Sequence, residues 1–265
     1  MKTPSNSVFA ISYVVALLVT ITSLAGLLFP SVVYPTESLR RAFLANDVVN
    51  LLIGVPVLLL ALTSARRGNL RGRLFLPGAL FFVTYNAIAY AFALTSTWRF
   101  IPHLVLALLS GLAIVLWFLH VDGVAVRDAL SGRVAERLCG GVLIGFGALF
   151  FLRGVAQLVQ GTVSGAEWAV VITDLFITPF WVIGGILLWR RHPLGYASGA
   201  GLLFQASMLF IGLLVFFILQ PFVSGVPFPL ADFVVILVMG LVCFVPFGMF
   251  VRGVMQGEPH IRSLG

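Results

Sequence analysis

Charge is scarce in this chain. Of 265 residues, 9% are charged and 60% are hydrophobic, whereas about a quarter of a soluble domain is charged. No stretch is long and polar enough to build a soluble domain, so function has to reside in the apolar runs or their short connections. Cysteine is scarcer still. Cys139 and Cys243 stand alone without a C-x-x-C, which excludes the paired-thiol chemistry of a membrane disulfide oxidoreductase and leaves packing as their role. Four histidines give no haem-ligating set: His103 and His120 lie at opposite ends of one apolar run, and His192 and His260 fall in a loop and the tail. No lysine lies in an apolar run, which excludes a retinal Schiff base. No run carries the arginine ladder of a voltage sensor. H-E-x-x-H, G-x-S-x-G and P-loop patterns are absent. The segment "DGVAVRDALSGRVAERL" touches the CDP-alcohol phosphotransferase pattern but lacks its aspartate set, since positions 119 and 140 are Leu and Gly. It reads as a solvated amphipathic turn. Neither a cofactor nor a metal is expected.

What the chain has in abundance is apolar runs of roughly 20 residues, each long enough to cross a bilayer as a helix. Eight are expected, at about 8–29, 44–64, 74–95, 101–121, 138–159, 168–189, 197–219 and 230–252. The fold class is therefore all-α: a polytopic transmembrane bundle forming one domain over 1–265. The first run is too long for a signal-peptide core and reads as a retained span. The arginines then orient the bundle. Starting from a cytoplasmic N-terminus, the inner segments hold Lys2 and eleven arginines, from Arg66 to Arg262, whereas the outer segments hold only Arg40, Arg41 and Arg99. The positive-inside rule thus expects both termini in the cytoplasm and a multi-pass protein of the cell (inner) membrane. A net charge of +7 spread over such loops suits anionic lipid headgroups on the cytoplasmic side, not nucleic acid. Trp98 and Trp168 at outer ends, and Trp117 and Trp189 near inner ends, read as interfacial anchors, and the mid-span Trp181 as packing.

The second and sixth runs share features. One carries Asp47 and Pro56 and ends in "ARRG"; the other carries Asp174 and Pro179 and ends in "WRRHPLG". Each precedes a run with an amide, Asn86 or Gln205. Four spans per half would give a parallel 4+4 repeat about an axis along the membrane normal, as in transporters that hold their site between halves.

Charges within hydrocarbon are costly and usually face the interior in pairs. Arg153 in the fifth run and Asp174 in the sixth flank the loop "GTVSGAE" and reach similar depths, roughly 10 Å from the outer end at 1.5 Å per residue. They are expected to pair. Asp47 and Asn50 share a helix face, as do Asn86 and Tyr90, with Tyr85 adjacent. Asp232 and Gln157 belong to the same half. For Asp47 and Asp232 the favoured reading is a helix N-terminus, where carboxylates cap and meet the dipole. Asn86 and Tyr90 lean toward interhelical glue. The concentration of polar groups nonetheless predicts an outward-facing cavity lined by Arg153, Asp174, Asp47, Asn50, Asn86 and Tyr90.

The stretches "LANDVVNLLIGVPVLLLAL", "RGNLRGRLFLPGALFFVTYNAIAYAF" and "DLFITPFWVIGGILLWRRHPLGY" resemble an uncharacterised group of prokaryotic eight-span membrane proteins. The resemblance implies the fold and no activity. Three functions fit the residues. The first is a small-molecule or ion transporter, or ligand-binding protein, taking a solute from the outer side, with Arg153 reading an anion. The second is a non-catalytic accessory or sensory subunit of a membrane complex. The third is an intramembrane lipid-modifying enzyme, for which neither nucleophile nor metal set is evident. The 27 glycines suit close packing within one chain or in a homo-oligomer alike.

Overall fold

The computed structural model describes residues 6–163 and 165–262, with side chains described as far as Gln256. Lys2 lies outside the described residues, as do Ser164 of the fifth-to-sixth loop and the side chains of His260 and Arg262. The chain runs through α1 (Asn6–Leu28), α2 (Pro30–Val33), α3 (Glu37–Val49), a π-helical turn (Asn50–Gly54), α4 (Val55–Arg66), α5 (Leu70–Ala93), α6 (Phe100–His120), α7 (Gly123–Leu130), α8 (Glu136–Gln160), α9 (Gly165–Trp189), α10 (Pro193–Ser224) and α11 (Leu230–Arg262). Among the described residues eight helices are long and apolar enough to span a bilayer, and each overlaps one of the eight expected runs. Eight crossings bring both ends of the described chain to the same end of the bundle. That end is termed proximal below, and the opposite end distal.

The boundaries follow local chemistry. Thr36 caps α3 by accepting from the Leu39 amide. Glu37 in the first turn pairs with Arg40 and Arg41 at 2.8 and 3.0 Å. The second span therefore begins earlier than hydropathy alone suggests, because capping and i,i+3 and i,i+4 pairs extend the helix into polar sequence. One expectation falls as a result: Asp47 lies well inside the span and caps nothing. Asp232 does sit in the first turn of its helix. The segment read as a solvated turn is instead the short α7. Asp122 caps it, and Val126, Ala129 and Leu130, spaced at i, i+3 and i+4, are buried in the core. Trp117 is buried among apolar side chains rather than anchored at an interface. Cys139 and Cys243 are buried free thiols.

α5 is the most buried span. It crosses α10 where Gly78 meets Gly201: a Cβ on Gly78 would lie 2.2 Å from the Gly201 carbonyl oxygen. The missing side chain of Gly78 lets the two backbones come this close, and a Cβ on Gly201 would sit a tight 3.1 Å from the Gly78 nitrogen. This contact belongs to a wider correspondence. A spacing of 123 residues separates Pro56 from Pro179, Gly72 from Gly195, and Gly78 from Gly201. Gly72 packs on Ser64 and Ala65, and Gly195 packs on Leu187 and Leu188, at the same spacing. Gly68 and Arg191, again at that spacing, both adopt positive φ, and the next residues, Asn69 and His192, are the N-caps of α5 and α10. Two parallel copies meeting at their own Gly78 and Gly201 is what a two-fold axis along the bundle requires. The register corrects the pairs noted from sequence. Pro56 and Pro179 correspond, but Gln205 aligns with Phe82 rather than Asn86, and Asp174 does not align with Asp47.

The halves differ at one point. Proline cannot donate the i−4 bond and its ring crowds the preceding turn. Before Pro56 the helix widens into the π-turn, closed by the Val55 amide bonding the Asn50 carbonyl. Before Pro179 α9 stays α-helical, with Thr178 Oγ1 donating to the Asp174 carbonyl at 2.7 Å. A π-turn inserts one residue and rotates everything before it by about 100°.

Candidate functional site

Beyond the Gly78–Gly201 crossing α5 and α10 diverge, and a partly open cavity of about 370 Å³ fills the distal half between them. α3 and α5 wall one side, and α8, α9 and α10 the other, with Ile236 of α11 at the edge. The site thus lies between the two halves. Both contribute corresponding positions: Asn86 and Leu209, and Ala89 and Gly212, line it at the spacing of 123. Before the π-turn, Ala42, Phe43 and Asn46 correspond to Ala166, Glu167 and Val170 at a spacing of 124, and all six line the cavity. The one-residue change is the insertion carried by the π-turn.

The lining is mainly apolar and aromatic, with a few convergent polar groups, as in small-molecule sites. Trp181 closes the floor. Its indole N–H donates to Gln205 Oε1 at 2.5 Å, and Gln205 is fully buried behind it. On one wall Tyr85 donates its hydroxyl to Asp174 Oδ1 at 2.8 Å. Asn46 Nδ2 donates to Asn86 Oδ1 at 3.2 Å and to Tyr90 OH at 3.1 Å, while Asn86 Nδ2 donates to the Phe82 carbonyl at 3.1 Å. Arg153 lines the cavity from α8, on the same face as Phe150. It lies seven residues, about 10 Å of helix, from the distal end of α8 at Gln160. Glu167 is exposed at the rim.

Two expectations about these residues fail. Arg153 and Asp174 do share the cavity, but no ion pair within 4.0 Å joins them among the described residues. Asp174 takes its bond from Tyr85 instead, and Arg153 makes no hydrogen bond and no ion pair within 4.0 Å among the described residues, acting on Asp174 only as a nearby charge. Asp47 and Asn50 are not on the cavity wall. On a helix, residue 47 points about 100° away from residue 46, so Asn46 enters the cavity and Asp47 turns behind it. There Asp47 is 1% exposed, accepting from Tyr34 OH at 2.5 Å and Tyr90 OH at 2.8 Å. Gly26 makes room for the carboxylate, since a Cβ there would lie 2.0 Å from Asp47 Oδ2. Burial, and then the neighbouring Asp47 charge, hold the Tyr34 phenol well above its ordinary pKa, so it remains a donor. Asn50 opens the π-turn and faces a separate void of about 10 Å³, which it shares with Asn86, Tyr90 and His103. That is the lower limit for one water.

The Tyr90 ring stacks on His103 with centroids 4.7 Å apart. Tyr90 therefore links a buried cluster (Tyr34, Asp47, His103) to the cavity wall through Asn46. Gln157 and Asp232 do not line the cavity. Reading the sequence alone misses Asn46 and Trp181 as site residues and gives Tyr85 no role of its own. Asn46 precedes Asp47 directly, and polar residues on adjacent helix faces leave the cavity face undetermined until the π-turn is known.

No protein-family model matches the chain, and neither curated proteins nor solved structures give a significant match. The functional reading accordingly rests on the geometry of the cavity.

Proposed function

We propose that this integral membrane protein binds a small solute in the distal cavity and carries it across the bilayer by rearranging its two halves. The observation that carries the reading is Arg153. A guanidinium that makes no hydrogen bond or direct ion pair among the described residues, lining a cavity between two repeated halves, has a ligand's charged group as its natural counterpart. The size supports it too, since about 370 Å³ lies within the range of small-molecule pockets. The close Gly78–Gly201 crossing supplies the seal on the proximal side, as a one-sided access state requires. The π-turn before Pro56 and the proline within α9 supply helix irregularities beside the site, where transporters and membrane binding proteins keep them. With the arginine asymmetry, the distal end is the outer one and solute enters from outside.

The test uses cysteine accessibility, for which the two buried native thiols give a quiet background. Leu209→Cys, on the cavity wall, is expected to react with a charged, membrane-impermeant methanethiosulfonate added outside intact cells. Leu74→Cys, fully buried on the proximal side, is expected to stay unmodified. An unreactive Leu209→Cys in folded protein means a sealed distal half, and the reading is then abandoned.

A further inference from the structure

The charges around the cavity define what it can hold. Arg153 contributes a cation and Asp174 an anion, yet they do not contact one another. Tyr85 occupies Asp174 Oδ1. Among the described residues Asp174 Oδ2 and Asn46 Oδ1 have no donor, and the Arg153 guanidinium has no acceptor. The cavity therefore presents unused acceptors on α3 and α9 and an unused bidentate donor on α8. Between and below them lie aromatic surfaces, those of Phe82, Phe150, Trp181 and Phe210.

We propose, building on the solute-binding reading above, that the occupant is a small zwitterion with an apolar body, the chemistry of an apolar α-amino acid. Its carboxylate takes the Arg153 guanidinium, whose fork matches a carboxylate's two oxygens. Its ammonium sits between Asp174 Oδ2 and Asn46 Oδ1, and its side chain lies on the aromatic floor. Charge balance selects the zwitterion over the simpler alternatives. Arg153 and Asp174 cancel within the cavity, Glu167 being exposed to solvent at its rim, so a ligand carrying both charges leaves the interior of the site neutral. A plain carboxylate leaves Asp174 without the ligand's cation, and a plain amine leaves Arg153 without the ligand's anion. An uncompensated charge in a low-dielectric site is the costlier state. A hydrophilic zwitterion, in turn, would leave the aromatic floor wet.

The experiment is calorimetric titration of the purified full chain in detergent with four probes: L-phenylalanine, L-leucine, 3-phenylpropionate and phenethylamine. At least one amino acid is expected to bind at least about tenfold tighter than either probe lacking one charge, the scale of losing one desolvated charge contact. Arg153→Ala is expected to remove the advantage over phenethylamine. Asp174→Asn, which keeps an acceptor for Tyr85, is expected to remove the advantage over 3-phenylpropionate. Circular dichroism melts confirm that both variants fold. Equal or tighter binding of a single-charge probe overturns the zwitterion while leaving the cavity as a binding site. No binding of either amino acid also overturns it, and Leu209→Cys labelling then decides separately whether the solute-binding reading survives.

Discussion

In the first half of the chain the span before the central crossing is interrupted by a π-turn at Asn50–Gly54, while α9 in the second half runs through the matching stretch unbroken. The two halves share their prolines, their tight hairpins and the reciprocal Gly78–Gly201 contact. They differ in what they aim at the cavity. In the first half the inserted residue sets Asn46 on the wall and Asp47 behind it, where two phenols satisfy its carboxylate. In the second half Asp174 stays on the wall with one oxygen unused. The central helices diverge as well. Tyr85, Asn86 and Tyr90 of α5 correspond to Met208, Leu209 and Leu213 of α10. Two halves with matching landmarks thus carry a hydrogen-bonding wall from one half and ionic groups from the other. The cavity lining is asymmetric as a result.

The comparison can be broken most severely at what the halves share. Gly78→Leu drives a side chain into the Gly201 backbone, with no flexible group able to give way. It is expected to cost more than about 3 kcal/mol, read as loss of the monodisperse folded species in detergent. The next largest effect separates the two carboxylates. Asp47→Ala strands the Tyr34 and Tyr90 hydroxyls in a buried cluster and is expected to cost about 3 kcal/mol, seen as a large fall in melting temperature. Retention of wild-type stability would show that the cluster is not the structural half of the pair. A smaller effect is expected of Tyr85→Phe, which removes one hydrogen bond at the cavity edge and should cost about 1 kcal/mol. A loss as large as that of Asp47→Ala would mean that the Asp174 side is clamped too.

Much of the fold is legible in the sequence, because bilayer-length apolar runs leave few other structures available to the backbone. The eight spans come directly from that constraint. The cavity's half of the bundle, and Arg153, Asp174 and Asn86 on its wall, follow from the rarity of polar groups in such runs. Finer features do not. The π-turn depends on how the chain absorbs Pro56, which apolar periodicity does not record, and with it goes the facing of Asn46 and Asp47. The early start of α3 is hidden because Glu37, Arg40 and Arg41 look like loop. The expected Arg153–Asp174 pair fails because similar depth on neighbouring helices says nothing about which way each side chain turns, and Tyr85 is the nearer partner for Asp174.

The most direct test of the central claim, that Arg153 and Asp174 face an open site rather than clamp two helices, is a thermal melt in detergent of wild type, Arg153→Ala, Asp174→Ala and the double variant. The geometry predicts that the double variant melts no higher than Asp174→Ala, because no direct contact between the two charges is there to be released, with Arg153→Ala melting close to wild type. If each single variant melts far lower and the double variant recovers much of the loss, the two charges are a buried ion pair, and the account of the cavity is contradicted.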